Sequence, residues 1–170
     1  MSKKTFQRRI YPSPVEFFRD FNYMMARRSL IRETMRSQIS AEFRERLMMA
    51  VTEVNGCRYC SYYHARMALE SGIEESELQE FLQGSIPANI PQEEITAVLY
   101  AQHWAESNAQ PDKQAQEKLL AVYGQQKYDA IHIVLRMIRM GNLLGNTWDY
   151  LLYKISFGRW GLRENENRYA

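Results

Sequence analysis

Helix punctuation recurs along this chain from residue 13 to residue 157 and leaves no stretch for a sheet. Ser13-Pro14-Val15-Glu16 sets a capping serine before a proline at the first helical position and a glutamate at the third. The spacing predicts a helix from there to about Arg28 and a short helix over 29–37. Ser40 caps a helix over about 41–55, which Asn55-Gly56 ends. The next runs from about Cys57 to Ser71 and stops at Gly72. Residues 74–83 form a short acidic helix closed by Gly84. Pro87 and Pro91 bracket a loop, and Pro91 suits the first turn of a helix to about Asn108. Pro111 opens a helix ending near Gly124, and residues 126–157 make one long helix or two. No segment alternates apolar and polar residues between turn residues, as a half-buried strand would. The expected fold class is all-α, a bundle of about seven or eight helices whose short loops make neighbours mostly antiparallel. Gly141 and Gly145, four apart in the last pattern, mark a close helix–helix approach or a kink.

No linker divides the 170 residues, which read as a single domain. At 45% hydrophobic and 25% charged residues the chain has the material for one core, and wholesale disorder is excluded. The longest apolar cluster, Leu47-Met48-Met49-Ala50-Val51, falls far short of the roughly 20 residues a membrane span needs. Two cysteines do not make a disulfide scaffold. The start, Met1-Ser2-Lys3-Lys4, has no apolar stretch behind it, so it does not read as a secretory signal and a reducing, cytoplasmic setting is expected. Residues 1–36 hold nine Lys and Arg against three acids, which makes that basic helical extension +6 and the remainder −4. A basic arm for nucleic acid or membrane is one reading of it. The favoured one is docking on an acidic surface of the same or a neighbouring subunit. Phe17, Phe18, Phe21, Tyr23, Met24 and Met25 are interleaved with the charges, and no DNA-reading motif is present. Neither nucleic acid nor membrane is therefore expected as a partner.

The chemistry concentrates in Gly56-Cys57-Arg58-Tyr59-Cys60-Ser61-Tyr62-Tyr63-His64. Cys57 and Cys60 form a C-x-x-C pair at the start of a predicted helix, where one turn brings two thiols into disulfide range. Unpaired N–H groups and the positive end of the helix dipole stabilise a thiolate there. At about 100° per residue, Cys57, Cys60 and His64 project within roughly a 60° arc. The imidazole is thus placed to take a proton from a thiol directly or through a water. Helices 41–55 and 57–71 form a hairpin about Asn55-Gly56, and folding back sets Glu45 within one turn of His64. A carboxylate there would orient the imidazole. Glu45 lies opposite the stripe of Phe43, Leu47, Ala50, Val51 and Val54, with Met48, Met49 and Thr52, so both faces of that helix are expected to pack. By position alone Glu53 is a rival for the same role.

Glu45, eleven residues, Cys57-Arg58-Tyr59-Cys60, three residues and His64 together resemble the AhpD-like alkylhydroperoxidases of the carboxymuconolactone decarboxylase superfamily. The resemblance covers about residues 40–100. In that family a glutamate stands twelve residues before the first cysteine and a histidine four after the second, which selects Glu45 over Glu53. The resemblance implies an AhpD-like all-α fold, a homo-oligomer often built from trimers, and a thiol-dependent peroxidase with no haem, flavin or metal. Cys57 and Cys60 are then the redox pair, and His64 and Glu45 the proton relay. Some members carry a second histidine directly before the second cysteine, where this chain has Tyr59.

On this reading His64, held by Glu45, draws the proton from Cys60. The Cys60 thiolate takes oxygen from a hydroperoxide, and Cys57 condenses with the sulfenic acid to close the disulfide. A dithiol such as a dihydrolipoyl group reopens it. Cys57, at the helix start, is expected to have the more stabilised thiolate and to be the point of attack by the reductant. Three competitors stand beside this reading. Cys57, Cys60, His64 and Glu45 could ligate zinc, although three of the four lie on one helix. A lactone decarboxylase of the same superfamily would not need the C-x-x-C pair. A non-enzymatic structural or interaction protein would bury both thiols inert. His103 and His132 read as satisfied packing residues, and Met24-Met25 and Met48-Met49 as core or subunit filling. Trp148, Tyr150, Tyr153, Phe157 and Trp160 read as packing against another helix or subunit, and Glu164 to Ala170 as a polar, frayed end.

Overall fold

The structure, a computed structural model, describes residues 5–163, so Lys3, Lys4 and the stretch from Glu164 to Ala170 lie outside the described residues. Those residues fold into seven α-helices with no strand among them: α1 Pro14–Ala26, α2 Arg28–Glu33, α3 Ala41–Asn55, α4 Arg58–Ser71, α5 Glu75–Leu82, α6 Ile95–Glu106 and α7 Lys113–Ile155. The caps act as their residue types require. Ser13 Oγ accepts from the Glu16 N–H, Ser40 Oγ from Phe43 at 3.2 Å and Asp112 Oδ1 from Ala115 at 2.8 Å. Gly56, at φ 71°, closes α3 in the left-handed conformation that a side chain would strain, and its N–H reaches the Thr52 carbonyl at 2.7 Å.

Boundaries differ from the sequence expectation where side chains compete with the backbone. The first helix stops at Ala26, since Arg27 leaves helical geometry at φ −111°, ψ 22°. The expected helix over 29–37 is α2 followed by one π turn, Thr34–Gln38. There the Ser37 hydroxyl donates to the Glu33 carbonyl at 3.2 Å, four residues back, a bond that loosens a helix. Pro91 does not open α6. Residues 91–94 close a separate turn, with Glu94 N–H to the Pro91 carbonyl at 2.8 Å, because Arg46 of α3 holds the Glu94 carboxylate at 3.0 Å. The last two predicted helices join into α7, interrupted at Gly124 (φ 69°, ψ 169°).

α3 is the central helix, packed on α4, α6 and α7. It is buried on nearly every side, with Leu47 and Val51 fully enclosed on one face and Glu45, Met48, Met49 and Thr52 enclosed on the opposite face. Arg46 is also buried, in a two-pronged pair with Glu77 of α5 (2.6 and 3.1 Å) that fixes the register of α5 on α3 rather than adding much stability. The basic extension docks within its own chain. Arg8 pairs with Asp149 of α7 at 2.7 Å, and Arg9 donates to the carbonyls of Ala105 and Glu106 at the negative end of α6. Phe6 packs edge-on against Tyr150, 5.4 Å between ring centres. No described helix is long and apolar enough to cross a membrane.

Candidate functional site

The α3–α4 hairpin builds the site from below and α7 closes it from above. Cys57 is the N-cap of α4, and its sulfur accepts the backbone N–H of Cys60 at 3.3 Å. Both cysteines are free thiols, with sulfurs 2.7 Å apart. Cys57 has no exposed surface and Cys60 is half-buried. The Cys57 thiol is drawn down from its ordinary 9.0 to about 7, first by the hydrogen bond from Cys60 and then by the N–H groups of Cys60 and Tyr59. Burial and the Asp149 charge act against that shift. The Cys60 thiol is pushed the other way, by its bond to Cys57 and by burial. The pair therefore shares its last proton, with the first negative charge on Cys57.

Folding about Gly56 brings Glu45 against His64, with Oε2 2.7 Å from Nδ1. The two side chains are 4% and 14% exposed, so the bond is shielded from water. It fixes Nδ1 toward Glu45 and leaves Nε2, on the other side of the ring, as the proton-accepting atom. His64 stands one turn beyond Cys60, and no hydrogen bond joins the two among the described residues. The rival Glu53 is engaged elsewhere. Its Oε1 accepts from the Ser61 hydroxyl at 2.7 Å, and burial pushes its carboxyl up. No group of three His, Cys, Asp or Glu side chains among the described residues is arranged to hold a metal ion.

α7 supplies what the sequence reading left unassigned. A Cβ at Gly145 would lie 2.7 Å from Cys57 Sγ and 3.3 Å from the Tyr59 ring, and one at Gly141 3.9 Å from Cys60 Sγ. The two glycines thus let α7 rest on the thiols themselves, the close approach their spacing implied. Asn142, fully buried between them, donates to Thr52 Oγ1 and accepts from Asn55 Nδ2, both at 3.1 Å, and its side chain also bonds the Cys60 sulfur and pulls that thiol down. The signal for Asn142 was a polar residue between two glycines in an apolar helix pattern. Asp149, fully buried, holds Arg8, Arg58 and the Tyr59 hydroxyl.

His132 is the packing residue expected, with Nε2 2.9 Å from the Tyr100 hydroxyl and burial lowering its pKa to about 4. His103 is not. Its side chain is 43% exposed, 2.9 Å from Asp112 Oδ2, on the wall of a cleft of about 310 Å³ between α6 and the start of α7. α6 buries Ala97, Val98, Ala101, Trp104 and Ala105, and His103 lies off that face. Met48, Met49 and Met24 are core, whereas Met25 is exposed. Tyr150 and Tyr153 pack on Phe6, while Trp148, Phe157 and Trp160 are exposed.

The sequence model of the CMD family, the Carboxymuconolactone decarboxylase family, matches residues 21–103, from α1 to near the end of α6. That segment, which holds the α3–α4 hairpin, is similar to the carboxymuconolactone decarboxylase family, and the all-helical bundle agrees with the likeness. No curated protein and no solved structure matches the chain significantly.

Proposed function

We propose that this chain is a thiol-dependent peroxidase of the AhpD-like type, in which Cys57 and Cys60 cycle between dithiol and disulfide and Glu45 and His64 move the proton. The observation that carries the reading is the pair of free thiols 2.7 Å apart, one turn from a shielded Glu45–His64 bond. Cys60 is the peroxidatic residue, because it is the reachable sulfur and the one beside His64. Its proton passes to His64 Nε2 directly or through a water. The Cys60 thiolate attacks the distal oxygen of a hydroperoxide, the O–O bond breaks, and the alkoxide leaves as the alcohol with the proton from His64. The sulfur is then a sulfenic acid. The Cys57 thiolate displaces its hydroxyl, which leaves as water with one further proton, and the disulfide closes.

A dithiol reductant, such as a dihydrolipoyl group, returns the pair to the thiols and becomes a disulfide itself. We place the point of attack at Cys60 rather than at Cys57, where helix position alone would put it. Cys57 is wholly enclosed, and with its thiol near 7 it is the better leaving group. No haem, flavin or metal takes part. The free thiols suit a reducing, cytoplasmic compartment. We propose in addition that the chain assembles as a homo-oligomer, trimeric or a multiple. Leu144, Trp148, Leu151 and Ile155 form an exposed apolar stripe along α7, continued by Phe157 and Trp160. Light scattering on the purified chain tests the assembly, and a monomer at micromolar concentration contradicts it.

A lactone decarboxylase of the same superfamily has no use for the capped thiol pair. Single-turnover peroxide consumption by cysteine variants tests the chemistry. Cys60→Ser abolishes the reaction, whereas Cys57→Ser still reduces one equivalent and stops at the sulfenic acid. Full-rate oxidation of Cys57 in the Cys60→Ser chain reverses the assignment.

A further inference from the structure

The turn that carries the two thiols is tied to α7 by one buried carboxylate. Asp149 has no exposed surface. Its Oδ1 accepts from Arg58 Nη2 at 2.7 Å and from the Tyr59 hydroxyl at 2.8 Å, and its Oδ2 accepts from Arg8 Nη1 at 2.7 Å. Arg58 and Tyr59 are the two residues between the cysteines. One helical turn before Asp149, Gly145 lets the same helix lie against the Cys57 sulfur. The third donor comes from the segment before α1, where Arg8 also bonds Asn146 Oδ1 at 3.3 Å and the Gly161 carbonyl. A buried carboxylate is costly unless paired, and a contact made only to fasten a turn to a helix needs no charge.

We propose that Asp149 is a positioning residue of the redox pair: through Arg58 and Tyr59 it fixes the Cys57–Cys60 turn, and its charge, balanced by Arg8, sets how strongly the pair prefers the disulfide. The proposal rests on the redox reading of the pair and not on the identity of the oxidant. A negative charge beside Cys57 disfavours its thiolate, so the dithiol is weakened and the disulfide gains. That is the direction in which Asp149 acts on Cys57. The Arg8 guanidinium and the Tyr59 hydroxyl both donate into the carboxylate and reduce its field at the sulfur. Among the described residues, the other charged and titratable groups on this side include Arg58 and Cys60 on α4 itself, with His64 one turn further along. Arg163 lies against Gly56, 4.0 Å from Glu53 of α3. In this arrangement Tyr59 adjusts the pair through Asp149 at the position where some relatives place a second histidine.

The test compares the full chain with Asp149→Asn, Tyr59→Phe and Arg8→Gln. Each is equilibrated in dihydrolipoamide redox buffers near neutral pH and the disulfide fraction read by mass spectrometry, while the Cys57 thiolate is titrated by ultraviolet absorbance. Asp149→Asn is expected to shift the equilibrium about tenfold toward the dithiol and to lower the thiol titration. Tyr59→Phe and Arg8→Gln unmask the carboxylate and shift it severalfold toward the disulfide. A shift of the same sign in Asp149→Asn and Tyr59→Phe, or none in either, overturns the proposal, because loosening a purely structural tether moves both alike. If Asp149→Asn does not fold, Tyr59→Phe at the half-exposed Tyr59 carries the test together with Arg8→Gln, and no gain of disulfide in either overturns it. A parent chain that forms no disulfide contradicts the redox reading instead. The thiolate titration then still decides: a lower midpoint in Asp149→Asn supports the role of Asp149, and an unchanged one overturns it.

Discussion

Two histidine–carboxylate bonds in this molecule are nearly equal in length and differ in everything else. His64 and Glu45 meet at 2.7 Å with side chains 14% and 4% exposed, and His103 and Asp112 meet at 2.9 Å with side chains 43% and 58% exposed. The first is clamped between α3 and α4 beside two thiols. The second spans the mouth of an open cleft, and its carboxylate already serves as the cap of α7. Water screens the second pair and competes for its atoms, whereas burial keeps the first in one geometry. A histidine with an acidic partner is thus a poor marker of chemistry by itself. Its enclosure, and what stands one turn away, make the difference.

The largest effect expected breaks this comparison directly. Glu45→Gln lowers kcat/KM for hydroperoxide about 10²–10³-fold, the usual range for a disabled acid–base group, while Asp112→Asn leaves it within about twofold. Steady-state peroxide consumption reads both, and equal losses would erase the distinction drawn between the two pairs. The two glycines of α7 sharpen it at the level of packing. Gly145→Ala forces a methyl toward Cys57 Sγ at 2.7 Å and costs about 1–3 kcal/mol in denaturant unfolding, whereas Gly141→Ala meets Cys60 at an ordinary 3.9 Å and is neutral or gains up to about 1 kcal/mol.

The thiols should also leave a mark on stability against pH. Because the folded Cys57 thiol titrates near 7 and the unfolded one near 9.0, its contribution is complete above 9.0 and lost as pH falls through 7. The reduced chain therefore gains stability as pH rises from about 7 to 9.0. Above that the raised Cys60 thiol reverses the slope. Melting temperatures of the reduced chain and of Cys57→Ser check this, and identical profiles contradict it. The smallest effect belongs to a buried histidine further back along α7. His132 is buried neutral, with its pKa lowered from 6.5 to about 4, so its contribution is whole above 6.5 and lost as pH falls toward 4. His132→Gln should flatten the acid side of the stability curve, and an unchanged acid limb speaks against the burial of the neutral ring.

Much of the bundle was legible because its signals are local. Ser13, Ser40, Gly56 and Gly72 each act within one turn, and the hairpin that unites Glu45 with His64 follows from Gly56 and two helix periods. What escaped depended on partners distant in sequence. The late start of α6 follows from Arg46 holding Glu94, and the role of the basic extension from Arg8 reaching Asp149. Asn142 and Asp149 read as ordinary polar residues of a long helix until α7 is laid across the C-x-x-C turn. The exposure of His103 depends on which face of α6 meets the core, a choice that Ala97, Ala101 and Trp104 make jointly.

The central claim is that the buried pair is redox chemistry rather than packing, and one titration reads it. Fully reduced chain is given one equivalent of a small organic hydroperoxide across a range of pH, and the products are mapped by mass spectrometry. The account predicts stoichiometric alcohol and an intramolecular Cys57–Cys60 disulfide at every pH at which the chain stays folded. Peroxide left intact beside two unreacted thiols would contradict it.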